Sequence, residues 1–197
     1  MSMDAMIDWV ELAAHIATVG VLFISIWTLS RNSFDSMFTQ LLANHNSIYE
    51  KVSAEYFHKF YEEFQKEFKC SNLIQANEIR TFYGRFTSDK ENNLNNTYLQ
   101  AYFKFIYHEI TAVRKARFIG KKKKKFYTRL IQSQMSNEEL FCYLINQINH
   151  CSGKDKYKSF LRKKNFFKDL YNSEYRNDLN KIKTILLEPL IKKNLLD

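Results

Sequence analysis

The chain has 197 residues, with 30 Lys and Arg against 21 Asp and Glu and a formal net charge of +9. Aromatic residues make up 16% of it, whereas Gly is 4 and Pro is 1. So few turn residues exclude a β-rich or tightly looped α/β fold and point to an all-α chain of long helices, and no Pro-, Ser- or Gly-rich linker or fixed-period repeat marks a second domain.

Residues 1–11 form a short acidic tail carrying Asp4, Asp8 and Glu11. Residues 12–29 then carry no charge at all. As a helix this run reaches roughly 27 Å, close to the hydrocarbon thickness of a bilayer. Trp9 and Trp27 stand near its ends, where interfacial indoles usually lie. A secretory signal would need a basic start and a small-residue cleavage site; the start is acidic and Ser30-Arg31-Asn32-Ser33 follows. The run therefore predicts a transmembrane helix over 12–30, with a buried or interfacial helix as the competing reading. Every Lys and Arg lies at or after Arg31. The positive-inside rule then places the basic helical domain, 31–197, in the cytoplasm and the tail outside. With three acids in the tail, the body holds 18 acids against 30 bases, or +12.

Beyond Arg31 the helix is expected to continue. Phe34, Phe38, Leu41, His45, Ile48 and Val52 alternate steps of four and three, an a/d seam with a histidine in it. The seam serves either packing on its own domain or self-association below the membrane. Phe57, Phe60, Tyr61, Phe64 and Phe68 make an aromatic helical stripe that reads as core. A further helix is expected over 73–86, then a polar loop over 88–96.

A long helix is expected over 97–118, with Leu99, Tyr102, Phe103, Ile106, Tyr107 and Ile110 on its apolar face and Gly120 ending it. Five consecutive lysines follow, Lys121 to Lys125, before Phe126, Tyr127, Leu130 and Ile131 restart a helix. Ser136-Asn137-Glu138-Glu139 is a capping-box pattern. Ser152-Gly153 breaks that helix, and closing helices are expected over 156–171 and 175–195, the last perturbed by Pro189.

Three stretches carry a family resemblance. They are the run from Phe34 through His45 and Asn46 to Tyr49; Tyr98-Leu-Gln-Ala-Tyr102-Phe103-Lys-Phe-Ile-Tyr107; and Phe126-Tyr127-Thr-Arg129 through Gln134, Ser136, Glu138, Glu139 and Leu140 to Asn146. Together they resemble the phage abortive infection protein family of bacteria, in which a membrane anchor precedes a helical domain. Met135 stands where the family has Leu, and Gln132-Ser133 where it has Arg-Ala. The late basic-aromatic segment from Lys156 to Leu170 also matches, so the resemblance covers residues 31–171. It implies antiphage defence, and the predicted anchor places the protein at the bacterial inner membrane.

Sequence patterns for catalysis are missing. There is no phosphate-binding Gly-x-x-x-x-Gly-Lys loop, no Gly-x-Ser-x-Gly elbow and no His-Glu-x-x-His helix. His45, His58, His108 and His150 are spread out with no acid partner evident in the sequence. Cys70, Cys142 and Cys151 read as free thiols, and Cys142, His150 and Cys151 fit no standard zinc spacing. No cofactor is expected, and the chain is not expected to be an enzyme.

The stronger signal is basic. Arg114, Lys115, Arg117, Lys121, Lys122, Lys123, Lys124, Lys125 and Arg129 crowd sixteen residues, and a second cluster runs from Lys154 to Lys168. With Tyr127 as a stacking platform, the first cluster is the candidate ligand-binding site. It could instead be a solvated face, hug anionic lipid, or bind nucleic acid. The expected function is thus a membrane-anchored, homo-oligomeric abortive infection effector. A cyclic oligoadenylate, as in CRISPR membrane effectors of similar layout, or a phage component would trigger it. The alternatives are a tethered enzyme degrading RNA or nucleotides, and a non-toxic adaptor.

Overall fold

A computed structural model describes residues 3–50, 52, 54–88, 93–150, 156–171 and 173–195, with side chains described from residue 17 onward except at 93–96 and 194. The described residues are helical apart from short connections and one isolated bridge. The elements are α1 (Met3–Tyr49), α2 (Ala54–Glu67), α3 (Ala76–Ser88), α4 (Asn93–Lys115), α5 (Lys121–Ser133), α6 (Asn137–Asn149), α7 (Lys156–Lys164), α8 (Lys168–Tyr171), α9 (Arg176–Lys181) and α10 (Thr184–Leu187), followed by a 3-10 turn at Lys193–Leu195.

α1 is one unbroken helix of 47 residues, roughly 70 Å long. It passes through Arg31 without a break, as expected. Its halves differ. Val19, Val21, Leu22, Phe23, Ile24, Ile26 and Leu29 are exposed around the whole helix, Phe23 by 71% and Ile24 by 62%. From Phe34 the same helix packs against the body. Among the described residues no helix is long and apolar enough to cross a membrane; of the uncharged run, the side chains of residues 17–29 are described and those of 12–16 are not.

The seam on α1 turns inward. Phe38, His45 and, just past the end of α1, Val52 are buried, and Phe34 and Ile48 pack partly buried against the core; Leu41 is half-buried, and it is its neighbour Leu42 that packs there. α1 lies against α4 and α5: Tyr49 and His45 meet Tyr102, and Phe34 and Phe38 meet Tyr127. Those pairs give the directions. α4 runs antiparallel to α1, its C-terminal end toward the apolar rod, and α5 returns from there.

The aromatic stripe of α2 is core, as its spacing implied. Phe60 and Phe64 meet Phe82 of α3 edge-on, and Phe64 and Tyr61 meet Phe141 of α6. α6 sits at the centre, buried from Glu139 through Ile148. Its capping box forms as predicted: Glu139 N–H donates to Ser136 Oγ at 3.2 Å, and Ser136 N–H donates to Glu139 Oε2 at 2.6 Å.

Several boundaries move. α3 starts at Ala76, because Ile74 is held in a parallel bridge to Ile182. α4 ends at Lys115, and Gly120 is the N-cap of α5 instead of the stop of α4. The five lysines are the opening of α5, not a linker. α7 stops at Lys164 because Asn165 turns left-handed at φ 57°, and Phe166 N–H reaches back to Leu161 O at 3.1 Å. The expected loop at 88–96 lies in part outside the described residues, and its residues from Asn93 are helical. The expected break at Ser152-Gly153 lies outside them altogether.

Candidate functional site

Among the described residues, two polar connections stand out between α1 and the body. The deeper one is a chain of four side chains, each 1% exposed or less: His45, Glu109, Tyr102 and Glu139. His45 Nδ1 lies 2.9 Å from Glu109 Oε2, and His45 Nε2 lies 3.1 Å from the Tyr102 hydroxyl. Tyr102 in turn reaches Glu139 Oε1 at 2.9 Å. The expectation that His45 lacks an acid partner is therefore corrected, the partner being 64 residues away on α4. His58 is corrected likewise: its Nδ1 lies 2.7 Å from Glu138.

The Tyr102 hydroxyl donates to Glu139 Oε1, and the two ring nitrogens of His45 bridge Tyr102 and Glu109, so one buried chain links α1, α4 and α6. Burial pushes both carboxyls up, Glu109 against the bond from His45 and Glu139 against bonds from Ser136 and Tyr102. Glu109 Oε1 is buried without a partner.

A pH dependence follows. The folded chain binds protons on Glu109 and Glu139 at pH values where the unfolded carboxylates have released them, so stability falls as pH rises through their folded values. His58, raised chiefly by its bond to Glu138, contributes in the same direction. Asp35 is held below its ordinary value and loses stability only in stronger acid. The thermal midpoint should be higher at pH 5.5 than at pH 8; a lower midpoint at pH 5.5 would contradict the assignment.

The second connection is closer to the apolar rod. Lys123 Nζ donates to both oxygens of Asp35, at 2.9 and 2.6 Å, and the Tyr127 hydroxyl donates to the same carboxylate. Burial pushes the Asp35 carboxyl up, but these two donors outweigh it. Tyr127 is 6% exposed, its ring packed between Phe34 and Phe38. It belongs to the core, and its face is occupied.

The other residues of the expected ligand site separate by helix face. Lys121, Lys122, Lys125 and Arg129 are exposed on one side of α5, with Phe126 between them at 59%. Lys124 Nζ instead donates to Arg114 O at 2.8 Å, closing the last turn of α4, and burial pulls its amine down. Lys115 and Arg117 are exposed and Arg114 is half-buried beside that cap. Lys164, from the second cluster, joins the first by donating to Lys121 O at 3.3 Å. Lys158 is buried and donates to His150 O at 3.3 Å. Lys154 and Cys151 lie outside the described residues. Among the described residues no cluster of three metal-ligating side chains occurs.

Sequence reasoning missed His45–Glu109, Asp35–Lys123 and the approach of Lys164 to Lys121. The one local hint was a histidine in an otherwise apolar seam, which asks for a buried polar partner.

The family model described as putative phage abortive infection protein matches residues 95–175. This is the family the sequence resembles. The match spans Tyr102, Glu109, Glu139 and the whole lysine run, while Asp35 and His45 stand outside it on α1. No curated protein and no solved structure matches the chain.

Proposed function

We propose that the chain is a membrane-anchored effector of phage abortive infection, its helical domain held at the cytoplasmic face of the inner membrane by the uncharged run at 12–29. The family domain supports a phage-defence role. The observation that carries the anchor is the exposed rod: apolar side chains surround α1 on all sides from Val19 to Leu29, and a helix apolar all round needs a nonpolar surrounding. The excess of Lys and Arg after residue 30 favours an inward-facing body.

In this reading the anchors of several copies associate through the rod, since the seam from Phe34 to Val52 packs within the domain. The domain transmits and does not catalyse, for its acid–base chain is sealed from solvent and ties α1 to α4 and α6. An infection signal acts by shifting α1 against those contacts, and the assembled anchors then perturb the membrane. A cyclic oligoadenylate, the trigger expected from the sequence, would meet the cations of α5 without the Tyr127 platform; a phage component is the other trigger.

The test is a plating assay. Bacteria expressing the full chain should restrict a sensitive phage, and the Leu22→Arg/Ile24→Arg variant, expressed equally, should lose that restriction. Undiminished restriction by the variant would refute the anchored mechanism. Nuclease activity in the purified chain would favour the tethered-enzyme alternative.

A further inference from the structure

Three helix ends meet at the side of the domain nearest the rod. α4 rises along α1 from Tyr102, beside His45, to Arg114, and α5 descends from Lys121 past Asp35. α7 ends there too, where Lys164 bonds Lys121 O. Asp35 is six residues beyond Leu29, about 9 Å along the helix axis. The ion pair to Lys123 therefore pins the start of α5 just below the last residue of the uncharged run.

This end is overwhelmingly positive. Lys115, Arg117, Lys121, Lys122 and Lys125 are exposed on it, and among the described residues Lys123 is the one cation of the run in a salt bridge. Burial and the charges of Lys124, Lys125 and Lys121 pull the Lys164 amine down, a sign of how tightly these cations are held together. Five lysines also open a helix, where the macrodipole disfavours cations. A chain designed only for solubility gains nothing from that arrangement, whereas an anionic surface beyond the helix start relieves both repulsions. Apolar groups accompany the charges. Phe118, at the turn between α4 and α5, is 50% exposed, and Phe126 stands exposed among the lysines. Cationic side chains with aromatics between them suit the boundary between headgroups and acyl chains.

We propose that this end of the domain is a docking surface for anionic phospholipid, in which Lys121, Lys122, Lys125, Lys115 and Arg117 bind headgroup phosphates and Phe118 enters the interface. It rests on the membrane reading above and deepens it: the domain lies against the bilayer instead of hanging below it.

The test uses the full chain in nanodiscs of phosphatidylcholine alone, or of equal parts phosphatidylcholine and phosphatidylglycerol. Exposed lysines are acylated with a water-soluble reagent and the rates read by mass spectrometry. Lys121, Lys122 and Lys125 should react at least about fivefold more slowly in the anionic discs and recover in high salt, because the attraction is electrostatic and screened. Lys59, exposed in the middle of α2, should react equally in both. Equal rates for Lys121, Lys122 and Lys125 in the two discs would overturn the lipid surface while leaving the anchor standing. Slowing by a cyclic oligoadenylate in phosphatidylcholine discs, with none from phosphatidylglycerol, would overturn it in favour of a nucleotide site. A chain that does not enter discs at all overturns the anchor, and the surface with it.

Discussion

Replacing His45 with alanine should destabilise the folded domain by about 3–5 kcal/mol, the usual cost of removing one partner from a buried pair. Glu109 is 0% exposed and its Oε1 is already without a bond. The substitution would leave Oε2 without one as well, and would take from Tyr102 one of its two polar neighbours. Burial already pushes the Glu109 carboxyl up, so the stranded group can escape by taking a proton. The loss should thus be larger at pH 8 than at pH 5.5. Removing both members, as His45→Leu with Glu109→Leu, should cost less than His45→Ala alone, since the Glu109 carboxyl is not left stranded. Chemical denaturation of the full chain in mild detergent, followed by circular dichroism, reads all three. A loss below about 1 kcal/mol for His45→Ala would show that the pair contributes no more than an ordinary exposed contact.

The contrast between these contacts and the local patterns explains what the sequence could tell. Helices α2 and α6 were legible because their signals are local: Phe57, Phe60, Tyr61 and Phe64 repeat at helical spacing, and Ser136 caps a turn that ends at Glu139. The uncharged run and the sign of the charge after it are equally local. His45–Glu109 and Asp35–Lys123 span 64 and 88 residues, and no periodicity announces a partner at that distance. Tyr127 looked like a platform because it sits among lysines in the sequence. On the helix, Lys123 and Tyr127 are four apart and share the face that meets α1, while Lys121, Lys122, Lys125 and Phe126 face away. The start of α5 was misplaced for a physical reason, since lysines are poor residues for a first helical turn. That local rule is broken where the body comes nearest the rod, which is where a functional constraint would override it.

The second large effect concerns the rod. Leu22→Arg with Ile24→Arg should move the protein from the membrane fraction to the soluble fraction. Each arginine near the centre of a membrane helix costs about 2.5–3.5 kcal/mol on the insertion scale, so two remove about 5–7 kcal/mol from a run that is short to begin with. Both residues are exposed and touch none of the buried contacts to the body, so the helical content beyond Phe34 should be unchanged. Retention of the double variant in membranes would mean that the body's basic face, or a partner, holds the protein there instead.

The central claim is that residues 12–29 are embedded in lipid. Alkaline carbonate extraction of membranes from cells expressing the full chain tests it most directly, because carbonate strips proteins held by charge or by partners and leaves integral helices in place. The chain should remain in the membrane pellet. Its release into the carbonate supernatant would contradict the account.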